Sequence, residues 1–337
     1  MKEFVTMNLD FSNPNHKQQS VHSSAPSFSP RSVSQKTLKT SIGCTGVGLH
    51  SGSRVGLKLH PAAANTGIVF RRVDLIGGGT EIPARWNSVT DSRLCTVIAD
   101  ERGVSVATVE HLMAAFYGMG VDNAVVEVNG PEVPAMDGSA WPFMFLMECA
   151  GLAELQAPRK ALRIRKPKSF SNGTKRVSFA PSRGELRVDF EIDFKAAAIG
   201  RQVCSFGVTS ETFKTEISRA RTFGLLSEVT ALREAGLARG GSLENAIVVD
   251  GDRILNDDGL RHTNEFVRHK VLDAVGDLYL CGHPIIGHFS GTCSSHADTA
   301  RLLRQVLADP QSWDMVDVYD DAPAAVWLDS APLAAMA

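Results

Sequence analysis

An α+β fold made of two similar halves is predicted by a pattern that occurs twice. In each half a helix carries histidine or carboxylate side chains, a glycine ends it, and an apolar strand follows. His111 lies on the first of these helices, and His269 and Asp273 lie on the second. The chain of 337 residues is also too long for one hydrophobic core. Because the halves share almost no sequence identity, the repeat is one of architecture alone.

The first half is predicted to contain short strands and two helices. Glycines divide residues 37–59 into short β-type runs, and residues 66–75 predict a further strand. A helix is predicted over residues 108–117 with Gly118 as its end, before the alternating strand 124–128. A second helix is predicted to begin near Ser139 and to end near Gly151.

The second half follows the same plan. Its predicted elements are strands at residues 175–182, 185–194 and 201–208, a helix or turn at 209–220, two strands joined by a turn within 244–255, a helix at 264–282 ended by Gly282, and a strand at 284–291.

Composition divides the chain into four segments. A Ser-rich and Pro-containing N-terminal part, residues 1–35, is predicted to be a disordered tail. Two prolines and six basic residues interrupt the apolar pattern within residues 157–168, which favours a boundary there. The prediction is therefore a first α+β domain over residues 36–157, a second over 158–325, and a C-terminal tail over 326–337.

Charge and cysteine usage exclude several classes of protein. The net charge of −2 shows no basic excess, so nucleic acid is not expected as a partner. The six cysteines are scattered singly, which disfavours a disulfide scaffold and favours a reducing cytoplasm. The sequence lacks both the apolar core of a signal peptide and a run of 18 apolar residues, so a transmembrane segment is not expected.

The helix predicted over residues 264–282 carries potential metal ligands along one side. His269, Asp273 and Asp277 follow one another at intervals of four residues, so neighbours lie about 5–6 Å apart on a helix. An imidazole and a carboxylate one turn apart can bind one zinc ion at about 2.0–2.2 Å. The third carboxylate suits an orienting role. The alternative is an exposed polar stripe.

The helix of the first half contains Glu110 and His111 side by side among small and apolar residues. A buried charge there is costly unless it is paired or ligated, so we interpret His111 as a metal ligand and Glu110 as a general base. The alternative is that both residues lie at the solvent-exposed edge of an amphipathic helix. The thermolysin motif H-E-x-x-H is absent, because Val109 and not a histidine precedes Glu110.

Two further segments are candidates for the same chemistry. His296 lies in a Gly- and Ser-rich stretch that we interpret as a loop after a strand, where histidines often act as acids or bases. A solvated loop histidine is the alternative. Thr222 offers a hydroxyl to an oxyanion, and Phe223 offers a ring that would line a pocket.

Seven segments together resemble one family. Three lie in the first half: TGVGLHSG at 45–52, ATVEHL at 107–112 and MDGSAWPF at 136–143. Four lie in the second half: SRARTFG at 218–224, GGSLENAIVVD at 240–250, NDDGLR at 256–261 and EFVRHKVLDAVGDLYLCG at 265–282. From about residue 36 to about residue 325 the chain resembles the UDP-3-O-acyl-N-acetylglucosamine deacetylases, the zinc enzymes of lipid A biosynthesis in Gram-negative bacteria.

The resemblance implies two sandwich domains, each a mixed or antiparallel sheet packed on two helices, with the active site between them. It implies His111, His269 and Asp273 as ligands of one Zn²⁺ per chain, with Fe²⁺ as an alternative metal, and Glu110 as the general base. The reaction would release acetate from UDP-3-O-acyl-N-acetylglucosamine, the committed step of lipid A biosynthesis.

The remaining roles implied by the resemblance concern residues around the metal. His296 would be a second acid/base or electrostatic group oriented by Asp277. Thr222 would polarise the acetyl carbonyl, Phe223 would lie near the substrate, and Lys270 would meet its diphosphate. Residues 293–298 depart from the family pattern, because they lack the basic residue and the glycine that often precede the loop histidine.

The expected partner is a UDP-linked acylated amino sugar, and the expected state is a cytoplasmic monomer with at most transient contact with a membrane surface. Two other classes stay open from the residues alone. Two histidines and one carboxylate also suit a non-haem Fe(II) oxygenase, although those sites usually use a His-x-Asp pair from a strand. A closed four-ligand site would instead indicate a non-catalytic nucleotide-sugar or zinc-binding module.

Overall fold

The computed structural model describes residues 32–76 and 80–319. Up to residue 158 the described chain forms two α-helices, a 3-10 turn at Trp86–Ser88 and ten strands. The helices are α1 (Glu110–Met119) and α2 (Trp141–Ala150). The strands are β1 (Ser34–Leu38), β2 (Ile42–Val47), β3 (Arg54–Pro61), β4 (Ile68–Arg72), β5 (Thr80–Pro83), β6 (Val89–Asp91), β7 (Val97–Ala99), β8 (Ser105–Val106), β9 (Ala124–Val128) and β10 (Leu152–Pro158).

The second half contributes four α-helices, a π-helical turn at Phe213–Ile217 and eleven strands to the described residues. The helices are α3 (Ser210–Thr212), α4 (Leu226–Glu234), α5 (Glu265–Tyr279) and α6 (His296–Leu307). The strands are β11 (Lys160–Ile164), β12 (Lys168–Asn172), β13 (Lys175–Ala180), β14 (Arg187–Asp193), β15 (Arg201–Gly207), β16 (Phe223–Leu225), β17 (Ile247–Asp250), β18 (Arg253–Ile254), β19 (Ile285–Ile286), β20 (His288–Thr292) and β21 (Trp313–Asp317).

Two five-stranded sheets with the same topology form the framework. Their strand orders are β2-β3-β9-β4-β5 and β12-β13-β20-β14-β15. In each sheet the last strand in sequence enters the middle, antiparallel to the strand on one side and parallel to the strand on the other. Smaller sheets surround them: β1-β10, β6-β7-β8, β16-β17-β18 and β19-β11-β21. The two matching mixed sheets with helices confirm the predicted α+β fold of two similar layers.

Alternating side chains orient each sheet. In β3 the residues Val55, Leu57 and Leu59 are buried, and in β14 every second residue is likewise buried. This period of two places an apolar face against the helices. The central helices α1 and α5 are buried around most of their circumference and pack on each other. The site residues therefore come from the most enclosed elements of the fold.

Several predicted boundaries shift in the structure. The helix α1 continues through Gly118 to Met119, and Gly120, whose φ of 66° is left-handed, caps it. The first strand begins at Ser34, two residues before the predicted start. The predicted helix or turn at 209–220 is α3 followed by the π-helical turn. The helices α4 and α6 were not predicted; α4 has no buried residue, although Leu226, Val229 and Leu232 recur at helical spacing along it.

Near the predicted domain boundary, the strands stop pairing with strands of the first half and begin to pair with strands of the second half. Strand β10 pairs with β1, whereas β11 pairs with β19 and β21, and only Arg159 separates β10 from β11. The division at residue 157 stays a prediction. Most of the predicted N-terminal tail and the whole C-terminal tail lie outside the described residues. Within the described ranges, no helix is both long enough and apolar enough to span a membrane.

Candidate active site

The site is built where α1 and α5 cross. A Cβ atom at Gly276 on α5 would overlap the carbonyl oxygen of Glu110 on α1, so glycine is what allows the two helices to approach this closely. The approach brings the ring of His111 within 4.9 Å of the ring of His269, centroid to centroid, with the rings nearly perpendicular. Residues that lie far apart in the sequence therefore come together at one buried place in the fold.

The three predicted metal ligands converge on a single point. Asp273 Oδ1 lies 3.4 Å from His111 Nε2 and 3.3 Å from His269 Nε2, and candidate ligand atoms of all three residues lie within 4.8 Å of one another. Two donors bound tetrahedrally at about 2.0–2.1 Å would lie about 3.3–3.4 Å apart. The buried Asp273 Oδ1 has no hydrogen-bond partner among the described residues. This donor set fits a metal ion.

The protonation of these groups also suits a cation. Burial lowers the pKa of His269 to about 4, which favours the neutral imidazole that binds metals. Although burial opposes ionisation of Asp273, the neighbouring His269 and Lys270 hold the pKa of this carboxyl well below its usual range. His269 Nδ1 lies 3.0 Å from the Ala220 carbonyl oxygen, so an Nδ1–H can donate there and leave Nε2 free to ligate.

Glu110 lies beside this cluster, in the first turn of α1. Its side chain is buried, and Oε2 accepts a hydrogen bond from the Thr96 N–H at 3.0 Å. Burial raises the pKa of Glu110, against the opposing influence of His296 and His111. The carboxyl is therefore held in place, and its raised pKa favours the uptake of a proton.

His296 reaches the same centre from the second half and is paired with Asp277. Its Nδ1 lies 2.7 Å from Asp277 Oδ2, while Asp277 Oδ1 accepts a hydrogen bond from Thr96 Oγ1 at 2.6 Å. Nε2 of His296 lies 3.8 Å from Asp273 Oδ2. Burial opposes the charged imidazole, but the carboxylates of Asp277 and Asp273 outweigh it and raise the pKa of His296 to about 9.

The prediction that His296 lies in a loop was wrong. It is the first residue of α6, because Asp298 Oδ2 accepts hydrogen bonds from the Ser295 N–H at 2.9 Å and from Ser295 Oγ at 2.7 Å. The segment SSHAD contains the spacing of a capping box, Ser-x-x-Asp, which is the signal that could have revealed this helix.

Thr222 and Phe223 line the cleft beside the cluster. The Thr222 N–H donates to the Gly138 carbonyl oxygen at 2.8 Å, and the Thr222 carbonyl accepts from the Ile247 N–H at 2.8 Å. The ring of Phe223 packs edge-on at 6.2 Å from the ring of His269. Both residues therefore sit where a substrate bound at the cluster would meet them.

Lys270 lines the cleft beside the cluster. Its ammonium donates to Asp273 Oδ2 at 2.6 Å, next to the cluster. Lys175, which sequence reasoning missed, also lines the cleft, is exposed and forms no ion pair within the described part of the chain. Thr96 was missed as well, because its contact with Asp277 joins residues 181 positions apart.

The cleft is about 480 Å³ in volume and opens into an apolar groove of about 460 Å³. The groove runs beside α4, and Leu49, Leu94 and Phe223 line both spaces. Its remaining wall is largely apolar and includes Val229, Leu232, Leu243, Val248 and Leu255. A ligand with a polar part and a long apolar part would fit this shape.

Comparison with known proteins identifies one family for most of the chain. The family model described as LpxC, UDP-3-O-acyl N-acetylglycosamine deacetylase, matches residues 35–308. The chain is 50% identical to the UDP-3-O-acyl-N-acetylglucosamine deacetylase of Vibrio parahaemolyticus over 87% of this chain and 96% of that protein. It is 52% identical to the protein of the same name from Acidithiobacillus ferrooxidans, over 85% of this chain and 93% of that protein.

A third relative with that name, from Photobacterium profundum, is 51% identical over 84% of this chain and 93% of its own length. The matches span both layers of the fold and confirm the resemblance inferred from the seven sequence segments. The chain therefore belongs to the LpxC family of UDP-3-O-acyl N-acetylglycosamine deacetylases.

Proposed function

We propose that this protein removes the acetyl group from UDP-3-O-acyl-N-acetylglucosamine, giving acetate and UDP-3-O-acyl-glucosamine in lipid A biosynthesis. The observation that carries the proposal is the convergence of His111, His269 and Asp273 with Glu110 and the His296–Asp277 pair on one cleft. Family membership supports the same reaction and favours it over the Fe(II) oxygenase and the non-catalytic module.

The metal is proposed to be one Zn²⁺ held by His111, His269 and Asp273, with Fe²⁺ as the alternative. When bound there, Zn²⁺ would supply Lewis-acid chemistry, polarising the acetamide carbonyl and lowering the pKa of an attacking water toward about 7. Three protein ligands leave one position open, which is the mark of a catalytic rather than a structural site.

Glu110 is proposed as the general base. One of its oxygens is fixed by the Thr96 N–H, which leaves the other to accept a proton from the attacking water. Burial raises the pKa of Glu110, which makes its carboxylate a stronger base than an exposed one.

His296 is proposed to stabilise the oxyanion or to protonate the departing amine. Asp277 binds Nδ1, so Nε2 is the atom that faces the cluster. With its pKa raised to about 9, the imidazole carries a proton at neutral pH and can give it away. The Thr222 hydroxyl would donate to the same oxyanion, at a backbone position fixed by Gly138.

The substrate is proposed to lie along the cleft and the groove. Its 3-O-acyl chain would enter the apolar groove beside α4, with Phe223 at the junction. Lys270 was expected to meet the diphosphate, and we retain it as a candidate because it lines the cleft. Lys175 is added, since it is an exposed cation without a carboxylate partner in the described residues.

Acetate release from a UDP-3-O-acyl-N-acetylglucosamine by the purified protein tests the proposal. We expect release that stops after dialysis against a chelator and returns with Zn²⁺. Absence of acetate with every divalent metal would exclude the deacetylase, and uptake of oxygen with a 2-oxo acid would indicate the oxygenase instead. The cytoplasmic location and the monomeric state stay predictions.

A further inference from the structure

A buried ion pair lies next to the carbonyl that orients His269. Arg221 is 2% exposed and Glu265 is fully buried. Arg221 follows Ala220, whose carbonyl oxygen faces His269 Nδ1, and precedes Thr222 in the cleft. Glu265 precedes His269 by one turn on α5, so the two side chains leave the same face of the helix.

The two side chains of α5 hold the two ends of a single peptide group. Glu265 Oε1 accepts from the Arg221 N–H at 3.0 Å, and His269 Nδ1 meets the Ala220 carbonyl oxygen at 3.0 Å. That N–H and that carbonyl belong to the same planar peptide unit. Any rotation of the peptide that weakens one contact therefore also moves the other.

The guanidinium of Arg221 compensates the buried carboxylate. Its Nε donates to Glu265 Oε1 at 2.9 Å, and its Nη2 donates to Oε2 at 3.3 Å and to the Gly259 carbonyl oxygen at 2.6 Å. The Arg261 N–H donates to Glu265 Oε2 at 2.6 Å. Glu265 is also the first residue of α5, where the helix dipole favours a negative charge. Both oxygens of the buried carboxylate therefore accept hydrogen bonds, and a cation lies beside it.

We propose that Glu265, with its charge compensated by Arg221, is a positioning residue for His269. By fixing the 220–221 peptide, it keeps the Ala220 carbonyl where His269 Nδ1–H can donate, and so directs Nε2 toward Asp273 and His111. The inference rests on the proposed function in one respect, that His269 is a metal ligand. Such outer contacts commonly change metal affinity by about 10- to 100-fold.

The test uses a double variant, Arg221→Met with Glu265→Leu. Apolar replacement of both partners leaves no unpaired buried charge and is often neutral for stability. We expect a thermal unfolding midpoint of the metal-free protein near that of the wild type, but a Zn²⁺ dissociation constant raised about 10- to 100-fold in competition with a chromophoric chelator. The visible spectrum of the Co²⁺-loaded protein should also change.

A graded variant and a matched control complete the design. Glu265→Gln keeps an acceptor for the Arg221 N–H, so its loss of affinity should be smaller; it also carries the test if the double variant does not fold. The control is Arg159→Met with Asp122→Leu. That pair is also largely buried, joined at 2.9 Å, and its carboxylate likewise accepts from a backbone N–H, that of Lys36. Its removal should leave Zn²⁺ affinity unchanged.

The outcomes separate the two proposals. Wild-type protein that neither binds Zn²⁺ nor releases acetate would overturn the proposed function itself. Wild-type protein that does both, with unchanged Zn²⁺ affinity and unchanged Co²⁺ spectrum in both Glu265 variants, would overturn only the positioning role. An equal loss of affinity in the Arg159–Asp122 control would also overturn it, because the loss would then reflect general destabilisation.

Discussion

At the scale of single residues, the site depends on which buried groups carry protons. Glu110 and His296 lie on the same cleft but are tuned by different surroundings: burial raises the pKa of the carboxyl, and two carboxylates raise the pKa of the imidazole. Residue type and helical spacing were enough to predict His269, Asp273 and Asp277 as one stripe. They could not predict Thr96, which joins the stripe to Glu110 only through tertiary folding.

Glu110→Gln should separate catalysis from metal binding. The amide has nearly the same shape but cannot accept a proton as a base, so we expect kcat to fall by about 10²- to 10⁴-fold with an unchanged metal content. Acetate release and metal analysis of the same preparation measure both quantities. Glu127→Gln, on β9 outside the cleft, is the control and should keep its activity. A Glu110→Gln enzyme with near-normal kcat would exclude Glu110 as the base.

Asp277→Asn should change how the stability of the metal-free protein depends on pH. The pKa of His296 is about 9 in the folded protein and about 6.5 when unfolded, so the charged pair stabilises the fold fully below about pH 6.5. That contribution is lost as the pH rises through about 9. Urea unfolding of the metal-free wild type and variant should therefore diverge at low pH and converge at high pH. Parallel curves would contradict the pairing.

At the scale of elements, the local sequence pattern predicted where helices occur more accurately than where they begin and end. Both Gly118 and Gly120 could have ended α1, and only the left-handed backbone of Gly120 decides it. Gly118 lies within α1, and the ring of Phe213, from a distant segment, fills the space that a side chain at this position would need. This glycine therefore serves packing and not the end of the helix. The start of α6 was predictable in principle from Ser295 and Asp298. The helix α4 has no buried residue, because its apolar side chains line the groove and do not pack in the core.

Gly276→Ala should disturb the crossing of α1 and α5. The added methyl group would overlap the Glu110 carbonyl oxygen, which is backbone and cannot rotate away. We expect destabilisation of about 1–3 kcal/mol in chemical unfolding, together with weaker metal binding, because His111 would move relative to His269. Gly207→Ala is the control, since its methyl group would meet only ordinary contacts. Equal stability of the two variants would show that the helices can separate without cost.

At the scale of the whole molecule, the sequence predicted the repeat of two similar halves but not the strand order of their sheets. A helix, a glycine and a strand recur in both halves, and this local pattern predicted two similar layers. The insertion of β9 and β20 into the middle of their sheets depends on pairing between strands distant in sequence, for which a single sequence holds no signal. The coming together of Glu110, His111 and α5 likewise follows from that topology and not from any local motif.

Because His111 comes from the first half and the other two ligands from the second, a bound metal should link the halves energetically. At a free Zn²⁺ concentration about 100 times the dissociation constant, the folded protein should gain about 2.7 kcal/mol. Thermal unfolding with Zn²⁺ and with a chelator measures this gain. His111→Ala should lose it, since Asp273 and His269 alone cannot close the site across α1 and α5. His288→Ala, an imidazole paired with Asp189 at 2.7 Å outside the cleft, should keep it. If His111→Ala retained the full Zn²⁺-dependent shift, the ion would be held within the second half alone, and the site would no longer depend on the crossing of the two helices.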